Sequence, residues 1–461
     1  MRITLITVKL IAFWGVLFIC LNPAYGAKSS EQRAAVATIS KVNYQQQLYG
    51  FWLGQCIANW TGLVTEMDKI GNIGEIKTGA FYTRNDWGRL DQPSIWGQGV
   101  PSDLSATINF VFEAPEGIWG SDDDTDIEYI YQYLLATEKN SVLTAEQIRR
   151  GWLTHIYSSA EKTPFGKDPD DNYENYLWVS NQRAYDLMAQ GMLPPETSSP
   201  DNNEHFDMID AQLTTEIFGL FAPARPDIAL AMAYLPIRTT ASGAAAEIAE
   251  FYVTMYSLGA GFAAGQPSAE ATWWLAQQAR AGLTDGEYPA AMYDFVWRQY
   301  QSGASWEAAR DAVYQRYQVD QADGYDITSR ELYCNGCFAA GINFAASLIS
   351  WFYGEGDFKN TLKIAALSGW DSDNPAATWG GLLGFMLGRE GIEKTFGRTF
   401  SERFNIHRTR RNFPADGIDN FNAMAQVGVS IVDRTVRELM ASEPEQNRWV
   451  IPKPILHSNE L

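Results

Sequence analysis

Cysteine and histidine are scarce, with four of each in 461 residues. The histidines (His155, His205, His407 and His457) are scattered, so the chain shows no histidine-based zinc site and no Ser–His pair. His155, in "GWLTHIY", reads as a packed helix residue. The nucleophile elbow G-x-S-x-G, the phosphate loop G-x-x-x-x-G-K-[ST] and the zinc helix H-E-x-x-H are all absent. "CNGC" (Cys334, Cys337) lacks a second CxxC, a nearby histidine and a surrounding βαβ pattern, which argues against zinc and against a redox motif. A short structural disulfide or two buried thiols is the expectation. Positive charge is also short: 35 Lys+Arg face 55 Asp+Glu, for a formal net charge of −20. Such a surface repels nucleic acid and anionic lipid, and an anionic substrate would need a local source of positive charge.

Long apolar runs are missing except at the start. There "MRITLITVK" carries Arg2 and Lys9, "LIAFWGVLFICL" is apolar, and "NPAYG" breaks the run with Ala24 and Gly26 at the small-residue positions of a cleavage site. This order is that of a secretory signal over residues 1–26, with an uncleaved anchor as the alternative. Ile19 before Cys20 disfavours a lipoprotein. Cleavage would remove two basic residues and no acidic one, leaving −22 and a periplasmic or extracellular protein that does not span the membrane.

The remaining pattern is helical. "TDIEYIYQYLLATEK" places Ile127, Ile130, Tyr131, Leu134 and Leu135 on one face, and several later segments are alanine-rich and similar. Residues 72–118 differ: turn formers are frequent, and "ATINFVFEA" alternates like a strand, so a β/loop insertion with a hairpin is expected there. No composition shift divides the rest. The expectation is one large all-α domain over residues 27–440 and a polar tail over 441–461.

Three stretches carry chemistry. "SGWDSDNPAATWGGLLGFMLG" sets Asp371 and Asp373 before Asn374–Pro375, an N-cap and N1 pair opening a helix over 375–387 with Ala376, Gly380 and Gly384 at four-residue spacing. "WGSDDDTDIEY" puts Asp122, Asp123 and Asp124 at the start of a helix beginning near Asp126. Three such carboxylates repel: at about 4 Å each pair costs roughly 1 kcal/mol in water, and several times more where water is excluded. "LYGFWLGQCIANWTGLVTEMDKIG" spaces Gly50, Gly54 and Ala58 by four, ends near Gly62, and places Glu66 four residues on.

Together these stretches resemble the ADP-ribosylglycohydrolase family, whose signature is a glycine-spaced first helix ending in Gly-Asp-x-x-Gly with a glutamate beyond, a Thr/Ser-Asp-Asp-Thr turn, and a late Gly-x-Asp-x-Asp-Thr before a glycine-rich helix. The resemblance implies an all-α fold and two Mg²⁺ ions, with Mn²⁺ or Ca²⁺ as alternatives. It implies Asp122, Asp123, Asp124, Asp371, Asp373 and Asn374 as metal ligands, and Glu66, Asp123 and Asp371 as catalytic residues. Asn59, Asp122 and Asn374 depart from the pattern, standing where the family has aspartate, threonine or serine, and threonine. The implied activity is metal-dependent hydrolysis of an ADP-ribosyl or related ribosyl or furanosyl bond in a small-molecule or glycosyl substrate. Two alternatives stay open: a secreted carbohydrate-directed glycosidase, for which Trp87, Trp96, Trp119 and "TWWLAQQ" offer sugar-stacking rings if they are not mainly packing, and a catalytically silent protein that binds metal, ADP-ribose or a sugar.

Overall fold

The computed structural model describes residues 35–97, 102–167, 171–330 and 332–453. The proposed signal over residues 1–26 lies outside them. The protein is all-α, 56% helical with few short strands. In chain order the helices are α1 (Lys41–Gly62), α2 (Asp123–Glu138), α3 (Ala145–His155), α4 (Val179–Ala189), α5 (Asp210–Thr214), α6 (Ile217–Phe221), α7 (Pro226–Ile237) and α8 (Gly243–Gly259). They continue with α9 (Ala269–Arg280), α10 (Tyr288–Gln301), α11 (Trp306–Val313), α12 (Ala340–Gly354), α13 (Phe358–Ser368), α14 (Asp373–Phe396) and α15 (Phe421–Glu438). No helix among the described residues is long and apolar enough to cross a membrane.

The axis of the fold is the pair α1 and α14, buried on nearly every side. Their approach depends on the glycine stripes. A Cβ on Gly54 would stand 2.3 Å from the Gly380 carbonyl oxygen, and one on Gly380 would stand 2.1 Å from Ala58 Cβ. Glycine weakens an isolated helix by roughly 1 kcal/mol per residue, so packing and not propensity holds α14. The other helices wrap this pair: α12 and α13 on one side, α15 and α2 on another, with α8 supported by α6 and α7. The predicted inner face of α2 is fully used, with Ile127, Ile130, Tyr131, Leu134 and Leu135 all buried.

Two small sheets close the surface. β1 (Ala35–Ser40) pairs antiparallel with β5 (Arg448–Pro452), so part of the 441–461 segment is tied to the front of α1. β2 (Trp119–Gly120) lies parallel to β3 (Arg403–Asn405), which pairs antiparallel with β4 (Ile418–Asn420). Among its described residues the insertion is mostly loop, and the expected hairpin is reduced to a short antiparallel pairing around the Leu90–Thr107 bridge, where the Gly88 N–H donates to Ile108 O at 2.7 Å and the Ile108 N–H to Arg89 O at 2.9 Å. The pairing ends at Ile108 because the residues beyond it pack on the helices instead. Ile108 and Val111 are buried while Phe110 and Phe112 pack on Phe396 at 5.1 and 5.0 Å, and the Val111 N–H donates to Thr61 Oγ1 at 3.2 Å instead of to a strand.

Candidate metal centre and active site

The three acidic stretches meet where α1 ends and α2 and α14 begin. α1 stops at Gly62, against which Asp373 lies so closely that a Cβ on Gly62 would be 2.3 Å from Asp373 Cα. Ser372 Oγ donates to Gly62 O at 3.0 Å, the Met67 N–H to Trp370 O at 2.9 Å, and the Trp370 N–H to Lys69 O at 2.8 Å. These bonds clamp the loop carrying Glu66 to the loop carrying Asp371. Trp370 itself is left-handed, at φ 57°, a conformation that costs a non-glycine residue on the order of 1–2 kcal/mol. Its buried indole, donating to Gln318 Oε1 at 2.7 Å, holds it there.

α2 starts at Asp123, three residues earlier than the sequence suggests, because Asp122 is extended and occupies the cap position, its N–H donating to Thr125 Oγ1 at 2.9 Å. Asp123 and Asp124 therefore lie in the first turn, at the positive end of the helix dipole. α14 starts at Asp373, so Asn374 is its second residue and not its cap. Pro375 permits this, since a first-turn proline gives up an N–H that has no helical partner. The helix runs to the expected 387, breaks at Gly388 (φ 68°) and resumes from there to Phe396.

Two groups of carboxylates result, one from Asp122, Asp123, Asp124 and Asp373 and one from Glu66, Asp371 and Asp373, with ligand oxygens within 4.8 Å of one another in each. Asp373 belongs to both. Asp124, Asp371 and Asp373 are buried, whereas Glu66 and Asp123 keep part of their surface open. Burial raises the pKa of Glu66, Asp123, Asp124 and Asp373 well above the usual carboxylate range, and neighbouring carboxylates add to it, Asp371 most for Glu66 and Asp122 most for Asp123. Asp371 is pushed up to about 7 by burial and then by the charges of Asp210 and Asp122. Contacts between Glu66 and Asp371, Asp371 and Asp373, and Asp373 and Asp124 let a carboxylic proton on one group bond the next. Asp373 Oδ1 is buried without a donor. An oxygen-only set with an orphaned ligand atom suits Mg²⁺, Mn²⁺ or Ca²⁺ better than zinc or copper.

The sequence profile of the ADP-ribosylglycohydrolase family matches residues 40–418, which contain all three stretches. The chain belongs to the ADP-ribosylglycohydrolase family. A solved "ADP-ribosylglycohydrolase-related protein complex" is similar over 86% of this chain and 99% of its own, at 15% identity and a TM-score of 0.45. No curated protein matches the chain. Membership makes it a glycohydrolase relative of the ADP-ribosyl type.

In this family member the structure brings Glu66, Asp122, Asp123, Asp124, Asp371, Asp373 and Asn374 together, in unequal surroundings. Asn374 Oδ1 accepts from Gln212 Nε2 at 3.1 Å, and its Nδ2 donates to Asp124 Oδ1 at 3.3 Å. Asp122 has both oxygens engaged: Oδ2 accepts from Asn59 Nδ2 at 3.0 Å, and Oδ1 from Arg408 Nη1 at 3.2 Å. Asn59 also reaches Asp124 Oδ2 at 3.1 Å and Asp373 Oδ2 at 3.5 Å, so one neutral amide ties three carboxylates. An aspartate there would add a further repelling charge beside these three carboxylates.

Other supporting residues were not apparent from sequence. Buried Asp210, at the start of α5, adds its charge to Asp371. Asn343 Oδ1 accepts the Asp371 N–H at 3.3 Å while its Nδ2 donates to Cys337 O at 2.8 Å, beside the Cys334–Cys337 disulfide. Gln55 Nε2 bridges Asp124 O and Glu128 Oε2. Arg410 forms a fully buried ion pair with Asp126 at 2.9 Å. The available signal was "IHRTRR", a locally basic run in an acidic chain. His155 is a packing residue, stacked on Phe413 at 4.1 Å, and Trp119 is core.

Proposed function

We propose that this chain is an exported, divalent-metal-dependent hydrolase of an ADP-ribosyl or closely related ribosyl or furanosyl bond. The observation that carries the proposal is the pair of carboxylate groups sharing Asp373. Asp122, Asp123, Asp124 and Asp373 would hold one ion, and Glu66, Asp371 and Asp373 a second. Asn374 would steady Asp124 and is the amide nearest to acting as a further ligand. When bound, such ions, Mg²⁺ first among them, supply Lewis acidity toward sugar hydroxyls and water.

The protein's own groups supply the rest. Glu66 Oε is partly open, and as the carboxylate it takes a proton from the attacking water while the glycosidic bond at C1 breaks through an oxocarbenium-like state, then passes that proton to the leaving group. The raised pKa from burial and the Asp371 charge strengthens it as a base. Asp371 and Asp123 hold the developing positive charge at the sugar through their carboxylates. The buried wall of α14 and the clamped loop at Trp370 exclude water from the far side. The formal charge of −20 argues against nucleic acid as a partner and for a small-molecule or glycosyl substrate.

Incubating the mature protein and Mg²⁺ with an ADP-ribosylated protein, and separately with pentose-containing oligosaccharides, tests this reading by thin-layer analysis. Release of ADP-ribose supports it, and release of pentose alone moves the assignment to a carbohydrate-directed glycosidase. One observation favours a silent binding protein: Asn59 already directs its two N–H donors at Asp122 and Asp124 and approaches Asp373 at 3.5 Å. Binding of ADP-ribose without any turnover would establish that reading.

A further inference from the structure

Arg408 stands out because it is a cation set directly against the acidic turn in a chain of charge −20. It closes the short turn Ile406–Arg408 after β3, and its methylenes lie over Gly120, where a Cβ would come within 2.2 Å of Arg408 Cδ. Its Nη1 donates to Ser121 O at 2.5 Å and to Asp122 Oδ1 at 3.2 Å. Nε and Nη2 make no hydrogen bond among the described residues, and the side chain remains 38% exposed. Arg410, two residues on, is fully buried with both Nη atoms held by Asp126, Asn175 O and Tyr176 O, so burial keeps it from a ligand. Half-buried Tyr176 lies within electrostatic reach of both Arg408 and Asp122, and Trp60 borders the same rim through its Nε1 bond to Gly120 O at 3.3 Å. Asp123, next along the turn, is a partly open member of the carboxylate group.

We propose that Arg408, flanked by Tyr176, is the subsite for a phosphate of the substrate, with its free Nε and Nη2 edge as the anion-binding fork. This rests on the glycohydrolase reading above and deepens it, since it selects phosphorylated ribosyl substrates over neutral sugars. Asp122 fixes the guanidinium through Nη1 and leaves the other edge outward. A planar fork presented with two donors matches a phosphate's oxygens in a way a lysine would not. It is also the local positive charge that an anionic substrate requires in so acidic a protein.

The test compares wild type, Arg408→Gln and Arg408→Lys, each loaded with Mg²⁺, by calorimetric titration with ribose 5-phosphate, ADP-ribose and ribose. Mg²⁺ affinity is titrated separately in each. Wild type is expected to bind ribose 5-phosphate and ADP-ribose at least about tenfold more tightly than ribose. Arg408→Gln should lose that preference by about tenfold to a hundredfold while keeping Mg²⁺, and Arg408→Lys should retain part of it. A preference unchanged in Arg408→Gln overturns the proposal and leaves the glycohydrolase reading intact. So does a wild type that binds ribose and its phosphate equally. Loss of Mg²⁺ together with the preference in Arg408→Gln, with Arg408→Lys normal in both, would make Arg408 a support for Asp122 and also overturn it. Failure of wild type to bind any of the three sugars removes both readings together.

Discussion

Replacing Asp371 by asparagine should stabilise the metal-free protein. Asp371 is 6% exposed, and its carboxyl is pushed from 3.8 up to about 7 by burial and then by Asp210 and Asp122. At about 1.4 kcal/mol per pKa unit, ionising it in the folded state at pH 8 costs on the order of 4 kcal/mol relative to the unfolded chain. The sign follows from the upward shift: its favourable contribution is full below the unfolded value and is lost as pH rises through about 7. Wild type stripped of metal should therefore lose stability between pH 5 and pH 8, and Asp371→Asn should flatten that slope and gain about 2–4 kcal/mol at pH 8. Saturating Mg²⁺ should reverse the order, because wild type gains about 4.1 kcal/mol per ion at a thousand times Kd while the variant gains little. Urea midpoints across pH 5–8, with EDTA and with Mg²⁺, read all of this. A metal-free variant less stable than wild type at pH 8, with an unchanged slope, would refute the claim that the cluster is held against its own repulsion.

Glu66→Gln should keep the fold and the Asp122–Asp123–Asp124–Asp373 ion while lowering turnover about a hundredfold or more, checked by steady-state kinetics beside a metal titration. Gly380→Val should lower the melting temperature sharply, since its Cβ would meet Ala58 Cβ at 2.1 Å and Gly54 O at 2.7 Å; overpacking of this kind costs about 3 kcal/mol or more. Arg410→Met leaves Asp126 buried without its guanidinium, at a cost of about 3–5 kcal/mol. Asp126 already titrates at about 6, raised by burial against Arg410, so that loss should be larger at pH 8 than at pH 5 in thermal melts.

What the sequence made legible was whatever short-range pattern encodes. Four-residue glycine spacing announced the α1–α14 contact, and adjacent carboxylates at helix starts announced the cluster. Long-range partners carried no such signature. Asn59 is an ordinary amide until the fold sets it against Asp122, Asp124 and Asp373, which lie 63, 65 and 314 residues away along the chain. Arg408 is separated from Asp122 by 286 residues and is visible in sequence only as part of a basic run. Local rules also failed where tertiary packing overrode them. "ATINFVFEA" alternates as a strand does but pairs only around Thr107 before it packs on the helices, and Asn374–Pro375 reads as a cap pair although the helix begins at Asp373, two residues before Pro375. Within the polar final segment, the pairing of Arg448–Pro452 with β1 depends on a strand more than 400 residues upstream.

The most direct measurement is isothermal titration of the metal-stripped protein with Mg²⁺, beside Asp373→Asn. Asp373 is shared by the two carboxylate groups, so the account expects about two ions per chain in wild type and the loss of both sites in the variant. Two ions bound equally well without the Asp373 carboxylate, or no binding by wild type at all, would contradict it.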